Sequence, residues 1–420
     1  MTAAILAFNA RTFKSLRRHR NYRLYFVGQV VSLSGTWMQN VALAWLIIRL
    51  THSPVAVGLL AFVRFLPFTL FSLTAGVIAD RFDNRRTMMV MQAVSMVISA
   101  LLAVLVLSGS DVLWAVFVLA ALGGTAAVFD APNRHALTFQ MVGRDELSNA
   151  VALNASLFNA ARVVGPALGG IVIAAAGVGV CFALNAVSFL AVLAALALMR
   201  RRELFPLERR EPPRLFSGMR PGLAYVRRTP AIRLVLLMTV VVATVGFNFH
   251  VLVPVLASKT LHAGPEVFGA LGASFGLGAL AGALVSAGLG RASWKAVVAG
   301  SAGFSSMLLL IAPLASVWPV AVLLFATGIF FTTWTSHSQS ILQLTAPDHL
   351  RGRVLSIYLF AFGGFAPLGG LLAGWLSDVG GTQLAFLVAG TACLGVTAYA
   401  AYAWPRERPA EQELVERLAA

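Results

Sequence analysis

Twelve stretches of this chain, each 18–28 residues long, carry almost no charge and end in charged or Gly/Pro-rich turns. They fall at 23–48, 55–79, 88–107, 112–130, 149–176 and 179–199. After a polar stretch come 231–257, 264–289, 296–313, 317–336, 354–376 and 381–403. A helix needs about 20 apolar residues to cross the hydrocarbon core of a bilayer. Only 11% of the 420 residues are charged and 59% are hydrophobic, whereas soluble domains carry about a quarter charged residues. Most of the chain must therefore face lipid or lie inside a lipid-embedded bundle. The runs predict an all-α membrane protein of twelve transmembrane helices, here called spans 1–12.

The net charge of +16 could suggest nucleic acid, but its placement argues otherwise. Of 32 Lys and Arg residues, 28 lie in the N-terminal segment, in the loops 2–3, 4–5, 6–7, 8–9 and 10–11, or in the tail. Only Arg49 and Lys259 lie in the alternate loops, and Arg64 and Arg162 lie within spans. This is the positive-inside pattern. It predicts a multi-pass protein of the plasma (inner) membrane with both termini cytoplasmic, its positive face against anionic lipid. A nucleic-acid footprint would cluster on one soluble face, and none does. The N-terminus, MTAAILAFNARTFKSLRRHR, is too basic and interrupted for a cleavable signal, so the first span is expected to be retained. Cys181 and Cys393 lie far apart inside apolar runs and read as buried structural thiols. Neither has metal-ligand or redox spacing around it, and no metal or cofactor is expected.

The chain also repeats itself. NYRLYFVGQVV (21–31) aligns with AIRLVLLMTVV (231–241), pairing Arg23-Leu24 with Arg233-Leu234. At the same offset Arg81, ending span 2, matches Arg291, ending span 8. QMVGRDELSNAV (140–151) aligns with QLTAPDHLRGRV (343–354). These pairs place spans 1–6 and 7–12 in parallel register. The expected organisation is a cytoplasmic segment 1–20, a six-helix bundle 21–199, a charged, Pro-containing cytoplasmic linker 200–230, a second bundle 231–403 and a cytoplasmic tail 404–420. Two pseudo-symmetric six-helix halves joined this way resemble the major facilitator superfamily. The resemblance implies substrate binding between the halves at mid-membrane and a monomer working by alternating access.

Two motifs carry the resemblance further. Five of the seven residues from Asp80 to Arg86 are charged, in GVIADRFDNRR (76–86). This looks like the superfamily's 2–3 loop signature, matched by Gly76, Asp80, Arg81 and Arg85. Asp83 stands where the family usually has Gly, and Asn84 where it has a basic residue. The resemblance implies a latch between the cytoplasmic ends of spans 2 and 11, with arginines able to bridge carboxylates across loops. Gly165-Pro166-x-x-Gly169-Gly170 in span 5 resembles the antiporter motif of exporting facilitators. Pro166 kinks the helix, and Gly272-xxx-Gly276 and Gly278-xxx-Gly282 of span 8 offer small-residue faces as its mate across the halves. Residues 34–60, 64–86 and 145–170 are similar to the branch containing the enterobactin exporter and related multidrug exporters.

Arg64 and Arg162 lie about ten and thirteen residues into their spans, near mid-depth at about 1.5 Å per residue. A charge there is costly, so each needs a partner or a water-filled cavity. No carboxylate lies at that depth: Asp130 is near the cytoplasmic end of span 4 and Asp378 near the outer end of span 11. Such arginines suit an anionic or catechol-type substrate, or else they bond helix carbonyls or stabilise contacts between the halves. Gln29, Ser32, Thr36 and Gln39 form a polar stripe on one face of span 1, flanked by Trp37 and Asn40. Asn154, Phe158 and Arg162 share a face of span 5, and Thr244 and Asn248 one of span 7, with His250 nearby. These residues line a cavity or bond between helices. His250 titrates near neutral pH and is either a carrier of a coupling proton or a packing residue. The leading reading is a secondary exporter of small amphipathic molecules, siderophore- or drug-like, driven by protons. The rival is an importer of organic anions. A membrane-embedded enzyme would need an acid/base or nucleophile cluster at one depth, and a channel would not need latch and hinge motifs. No such cluster, phosphate loop or metal spacing is present, so a transporter rather than an enzyme is expected.

Overall fold

In the computed structural model, residues 12–110, 112–206, 219–289 and 292–419 are described. The first eleven residues, the middle of the linker at 207–218 and Arg291 of the repeat lie outside the described residues, as do the tail's side chains beyond Trp404.

Every regular element among the described residues is helical. Among the described residues ten helical stretches are long and apolar enough to cross a bilayer, and two of these each hold two spans. Leu113–Ala176, 64 residues long, breaks at Gly143 (φ 70°, ψ −174°). A straight helix of that length would reach about 96 Å, about three times the hydrocarbon thickness, so the break separates spans 4 and 5. Ala366–Ala419 likewise breaks at Gly380 and Gly381 (φ 70°), between the end of span 11 and span 12. The twelve runs are thus accommodated within ten helices. The expected loop 4–5 is itself helical on both sides of Gly143. The positive φ there suits glycine, and the Phe205 ring fills the space where a Cβ would stand, at 3.1–3.3 Å. Phe205 N–H donates to the Gln140 carbonyl at 2.8 Å, which ties the chain leaving span 6 over the break.

Span 7 is not one regular helix. Pro230–Val241 passes through a π turn, Val242–Gly246, into Phe249–Val255 and a second π turn, Leu256–Thr260. Such turns free backbone groups and recur at functional sites. Asn248 Nδ2 donates to the carbonyls of Thr244 (2.8 Å) and Val245 (3.2 Å), which satisfies two of them.

The chain forms two compact units. The first is Met1–Leu46 with Leu70–Pro212, the second Ile47–Thr69 with Pro213–Ala420. Residues 47–69, which the sequence repeat assigns to the earlier half, group with the later chain for identifiable reasons. A Cβ on Gly58 would come within 2.6 Å of the Gly370 carbonyl oxygen and 3.1 Å of Gly374 Cα. Nearby, span 11 is broken after Asp348–Gly363, and the Gly364 carbonyl accepts from Thr69 Oγ1 at 2.9 Å.

Helices in lipid associate by close packing and interhelical hydrogen bonds rather than by the hydrophobic effect. In unit 1, Gly28 of span 1 lets its backbone approach Ala191 and Val192 of span 6, where a Cβ would sit 2.9 Å from both. A core of Tyr22, Tyr25, Met88, Leu137, Met141, Val192 and Leu196 fills one end of the unit. The short helix Lys14–Arg18 is held on it by Arg18 Nη1–Glu146 Oε1 (3.0 Å) and by Ser15 Oγ–Asn149 Oδ1 (2.7 Å). In unit 2, Gly282 of span 8 packs against the Ile329 backbone of span 10, and Gly278 against that of Phe325. The Gly278-xxx-Gly282 face of span 8 is therefore occupied by span 10.

Candidate transport sites in the two units

Unit 1 buries a polar cluster at one end of spans 1, 3 and 4. Asp130 and Arg134 are four residues apart, so they face the same way on the helix. Arg134 Nη2 and Nε donate to Asp130 Oδ2 at 2.6 and 3.2 Å. Gln92 Nε2 of span 3 donates to Asp130 Oδ1 at 2.9 Å, and Arg134 Nη1 to Gln29 Oε1 of span 1 at 2.8 Å. Further along, Gln39 Oε1 accepts from Ser99 Oγ and Asn185 Nδ2, both at 2.7 Å. The polar stripe of span 1 thus reaches two different interhelical networks. Its middle members turn inward on their own helix, with Thr36 Oγ1 donating to the Ser32 carbonyl at 2.9 Å. Asn154 accepts from the Tyr22 hydroxyl at 3.1 Å and donates to Thr138 Oγ1 at 3.2 Å. Gln29, Gln39 and Asn154 therefore bond within the unit, and Asn40 is half-buried beside them.

Phe158 and Arg162 are placed differently. The Arg162 guanidinium carbon lies 5.7 Å from the Trp37 ring centroid, and Phe158 meets the same ring edge-on at 5.5 Å. A cation against an aromatic face is attracted by the ring quadrupole, more strongly when water is excluded. Phe158 is exposed from the protein and Arg162 half-buried. This corner combines one positive charge with flat apolar surface.

Unit 2 holds the counterpart. Arg64 of span 2 lies with its guanidinium carbon 5.7 Å from the Phe65 ring, and His250 of span 7 meets that ring edge-on at 5.0 Å. Thr244 Oγ1, Asn248 Oδ1 and His250 Nε2 are buried without a hydrogen-bond partner. A buried polar atom left unpaired is expensive, so three of them near a π turn are unusual for packing alone. Beside them Phe247 stacks on Phe331 at 4.3 Å, and Phe249 packs on Phe275 at 4.7 Å.

A family profile described as "Transmembrane secretion effector" matches residues 11–417. The chain belongs to that family, a branch of the major facilitator superfamily. It is 26% identical over 381 residues to the staphyloferrin A transporter of Staphylococcus aureus, covering 89% of this chain and 94% of that protein. It is 28% identical over 390 residues to the multidrug efflux pump Tap of Mycobacterium tuberculosis, covering 87% and 88%. Macrolide efflux protein A of Streptococcus pyogenes is 20% identical over 384 residues, covering 90% and 95%. Among solved structures, a POT family transporter in complex with 5-aminolevulinic acid matches with TM-score 0.77 at 12% identity over 92% of this chain and 96% of that one. An inward-facing bacterial homologue of the lysosomal transporter Spinster matches at 0.69, with 11% identity over 94% and 98%. At these identities the structures establish the fold alone. The protein is thus a multi-pass membrane transporter of small molecules rather than an enzyme.

The transporter's two signature motifs have particular local roles. Asp83 caps the helix Asn84–Leu107, accepting from Arg86 N–H at 3.0 Å in an extended backbone conformation. That explains the carboxylate where the family usually has Gly: N-cap positions favour Asp. Asn84 Nδ2 donates to the Ala79 carbonyl and to Asn133 Oδ1. Arg85, expected to bridge carboxylates, instead donates to the carbonyls of Leu196 (2.6 Å) and Ala197 (3.1 Å). Those carbonyls close the helix Val178–Ala197, whose C-terminal end attracts cations. Asp80 and Arg81 are exposed, and Gly76 has open space where a Cβ would stand. In the antiporter motif, Gly165 lies against Trp37 and the Ser34 carbonyl, and Gly169 against Met38 and Val41. Both glycines and Pro166 are buried, as is Gly170. The motif glycines therefore bring span 5 onto span 1.

By sequence position alone, Arg134 falls in a cytoplasmic loop and Asp130 at the end of span 4. The i,i+4 spacing of D-A-P-N-R (130–134) is the signal that would have joined them.

Proposed function

We propose that the protein is a proton-coupled exporter of small amphipathic molecules, siderophore- or drug-like, in the plasma membrane. It has both termini cytoplasmic, acts as a monomer and works by alternating access. The observation that carries the substrate class is the Arg162–Trp37–Phe158 corner, seconded by Arg64 on Phe65 with His250. Cation plus aromatic surface suits a flat molecule bearing an anionic or catechol-like group. The efflux pumps and siderophore transporter among the relatives support the same class. Arg64, Arg162, Phe158, Asn248 and His250 are read as substrate-facing, and Gln29, Thr36, Gln39, Asn40 and Asn154 as the polar framework behind them. Gly76, Asp80, Arg81 and Arg85 act as the latch region, and Gly165, Pro166, Gly169 and Gly170 as the hinge.

The test is flux in proteoliposomes with a pH gradient, using 2,3-dihydroxybenzoate as an anionic probe and ethidium as a cationic one. Arg162→Ala and Arg64→Ala each lower transport of the anionic probe about tenfold, which corresponds to about 1.4 kcal/mol of lost binding. Normal transport by both variants defeats the substrate assignment. Net inward movement under the gradient that the exporter reading runs on would make the protein an importer.

A further inference from the structure

The end of the linker is a helix, Met219–Arg228, packed against the ends of spans 10 and 11 in unit 2. Its inner face is small and apolar. A Cβ on Gly222 would stand 3.1 Å from Arg353 Cβ and 3.4 Å from Ile357 Cδ1. Val226, 7% exposed, enters a core of Ile232, Val235, Leu342, Val354 and Tyr358. The Tyr225 hydroxyl donates to the Thr345 carbonyl at 2.9 Å. Thr229 N–H bonds back to the Tyr225 carbonyl at 3.0 Å, and the Thr229 carbonyl accepts from Arg233 N–H at 3.0 Å. The first helix of span 7 begins at Pro230, so a single residue joins it to the linker helix.

The outer face is different. Positions four apart are neighbours on a helix surface, so Leu223 adjoins Arg227 and Ala224 adjoins Arg228. All four are exposed, and so is Arg353, whose stem lies against Gly222. Among the described residues Arg227, Arg228 and Arg353 make no side-chain ion pair or hydrogen bond. The chain from 212 to 265 contains no Asp or Glu that could supply a local one. The positive-inside bias accounts for arginines on this side of the bilayer. It does not account for an exposed leucine set among them where a span begins. Such a face suits a helix resting on anionic lipid, with its apolar side chain at the acyl boundary and its cations among the headgroups.

We propose that the outer face of helix Met219–Arg228, together with Arg353, is a docking surface for an anionic phospholipid headgroup. Arg227, Arg228 and Arg353 donate to the phosphate oxygens in charge-assisted hydrogen bonds, and Leu223 reaches the acyl boundary. Charge complementarity selects an acidic partner. The place of the helix, one residue ahead of span 7, selects a lipid over a soluble acidic protein. The surface stands whatever the coupling ion and the transported molecule are.

The experiment is hydrogen exchange of the full-length protein in nanodiscs of phosphatidylcholine, with and without phosphatidylglycerol. In the parent, phosphatidylglycerol slows exchange of the 219–228 amides about fivefold, the factor that corresponds to about 1 kcal/mol of headgroup attraction. Arg227→Gln/Arg228→Gln removes the slowing, and Arg353→Gln and Leu223→Ser each reduce it. If the double variant melts early, those two single variants decide the matter. Arg201→Gln/Arg202→Gln, which removes two exposed cations of unit 1, leaves the slowing in place. Loss of the slowing in that variant too would make the effect a general attraction of charge and overturn the site. Exchange in the parent that ignores phosphatidylglycerol also overturns it. Protection by soluble polyglutamate but not by phosphatidylglycerol would assign the surface to an acidic protein and end the lipid proposal.

Discussion

Three half-buried guanidinium groups on spans 2, 4 and 5 are held in two ways. Arg134 sits against a carboxylate and an amide oxygen in a cluster that is electrically neutral. Arg162 and Arg64 sit against the faces of Trp37 and Phe65. A counter-charge cancels the field of a buried cation but cannot be removed without leaving the other charge stranded. An aromatic face offsets less of the charge than a carboxylate does. The first arrangement ties two charges into one unit, and the second rests a cation on a ring. Substitution should separate them. Arg134→Leu strands Asp130 and lowers stability by about 3 kcal/mol, read as a fall in thermal midpoint in detergent. The double variant Asp130→Leu/Arg134→Leu, which removes both charges, recovers most of that loss. Arg64→Ala and Arg162→Ala shift the midpoint far less. Equal destabilisation by all three arginine changes would erase the distinction.

The same separation can be sharpened at two glycines. Gly278 has the Phe325 backbone pressed against it, while Gly76 has open space on that side. Gly278→Val overpacks a contact inside unit 2 and lowers stability by about 2 kcal/mol. Gly76→Ala leaves the melting midpoint unchanged. If the latch region closes only during part of the cycle, Gly76→Ala still slows probe flux in vesicles. A variant with parental flux would confine Gly76 to a passive position in its helix.

How legible these roles were in the sequence follows the physics of each. Apolar run length and the placement of Lys and Arg report directly on the bilayer as solvent, so the helical class and the spans can be read from them. Helix interruptions depend on single residues, and only some announce themselves. Gly143 was hidden in a stretch read as a loop, and the π turns of span 7 carry no composition signal of their own. The polar stripe of span 1 gave the correct face but not the neighbours on it. Gln29 found Arg134, and Gln39 found Ser99 and Asn185. Periodicity fixes direction from one axis and leaves open which helix stands opposite. Arg85 shows the same limit: its charge was plain, but its partners are backbone carbonyls of span 6 that no side-chain pattern marks.

The smallest expected effect gives the finest test of the aromatic half of the comparison. Trp attracts a cation more strongly than Phe. Trp37→Leu should therefore destabilise by about 1 kcal/mol, near the middle of the range for such contacts. Phe65→Leu should cost less for the cation contact, although it also removes the edge-on partner of His250. Trp37→Leu removes more volume than Phe65→Leu, so each single change carries a cavity cost beside the ring quadrupole, and a cycle is needed to isolate the cation–ring contact. Thermal melting of Trp37→Leu, of Arg162→Ala and of the double variant Trp37→Leu/Arg162→Ala closes a double-mutant cycle for the unit 1 corner. A coupling energy indistinguishable from zero would mean that Arg162 is held by its other contacts and that Trp37 contributes surface alone. A coupling of about 0.5–1 kcal/mol would establish the ring as one of the partners that keep this cation in place.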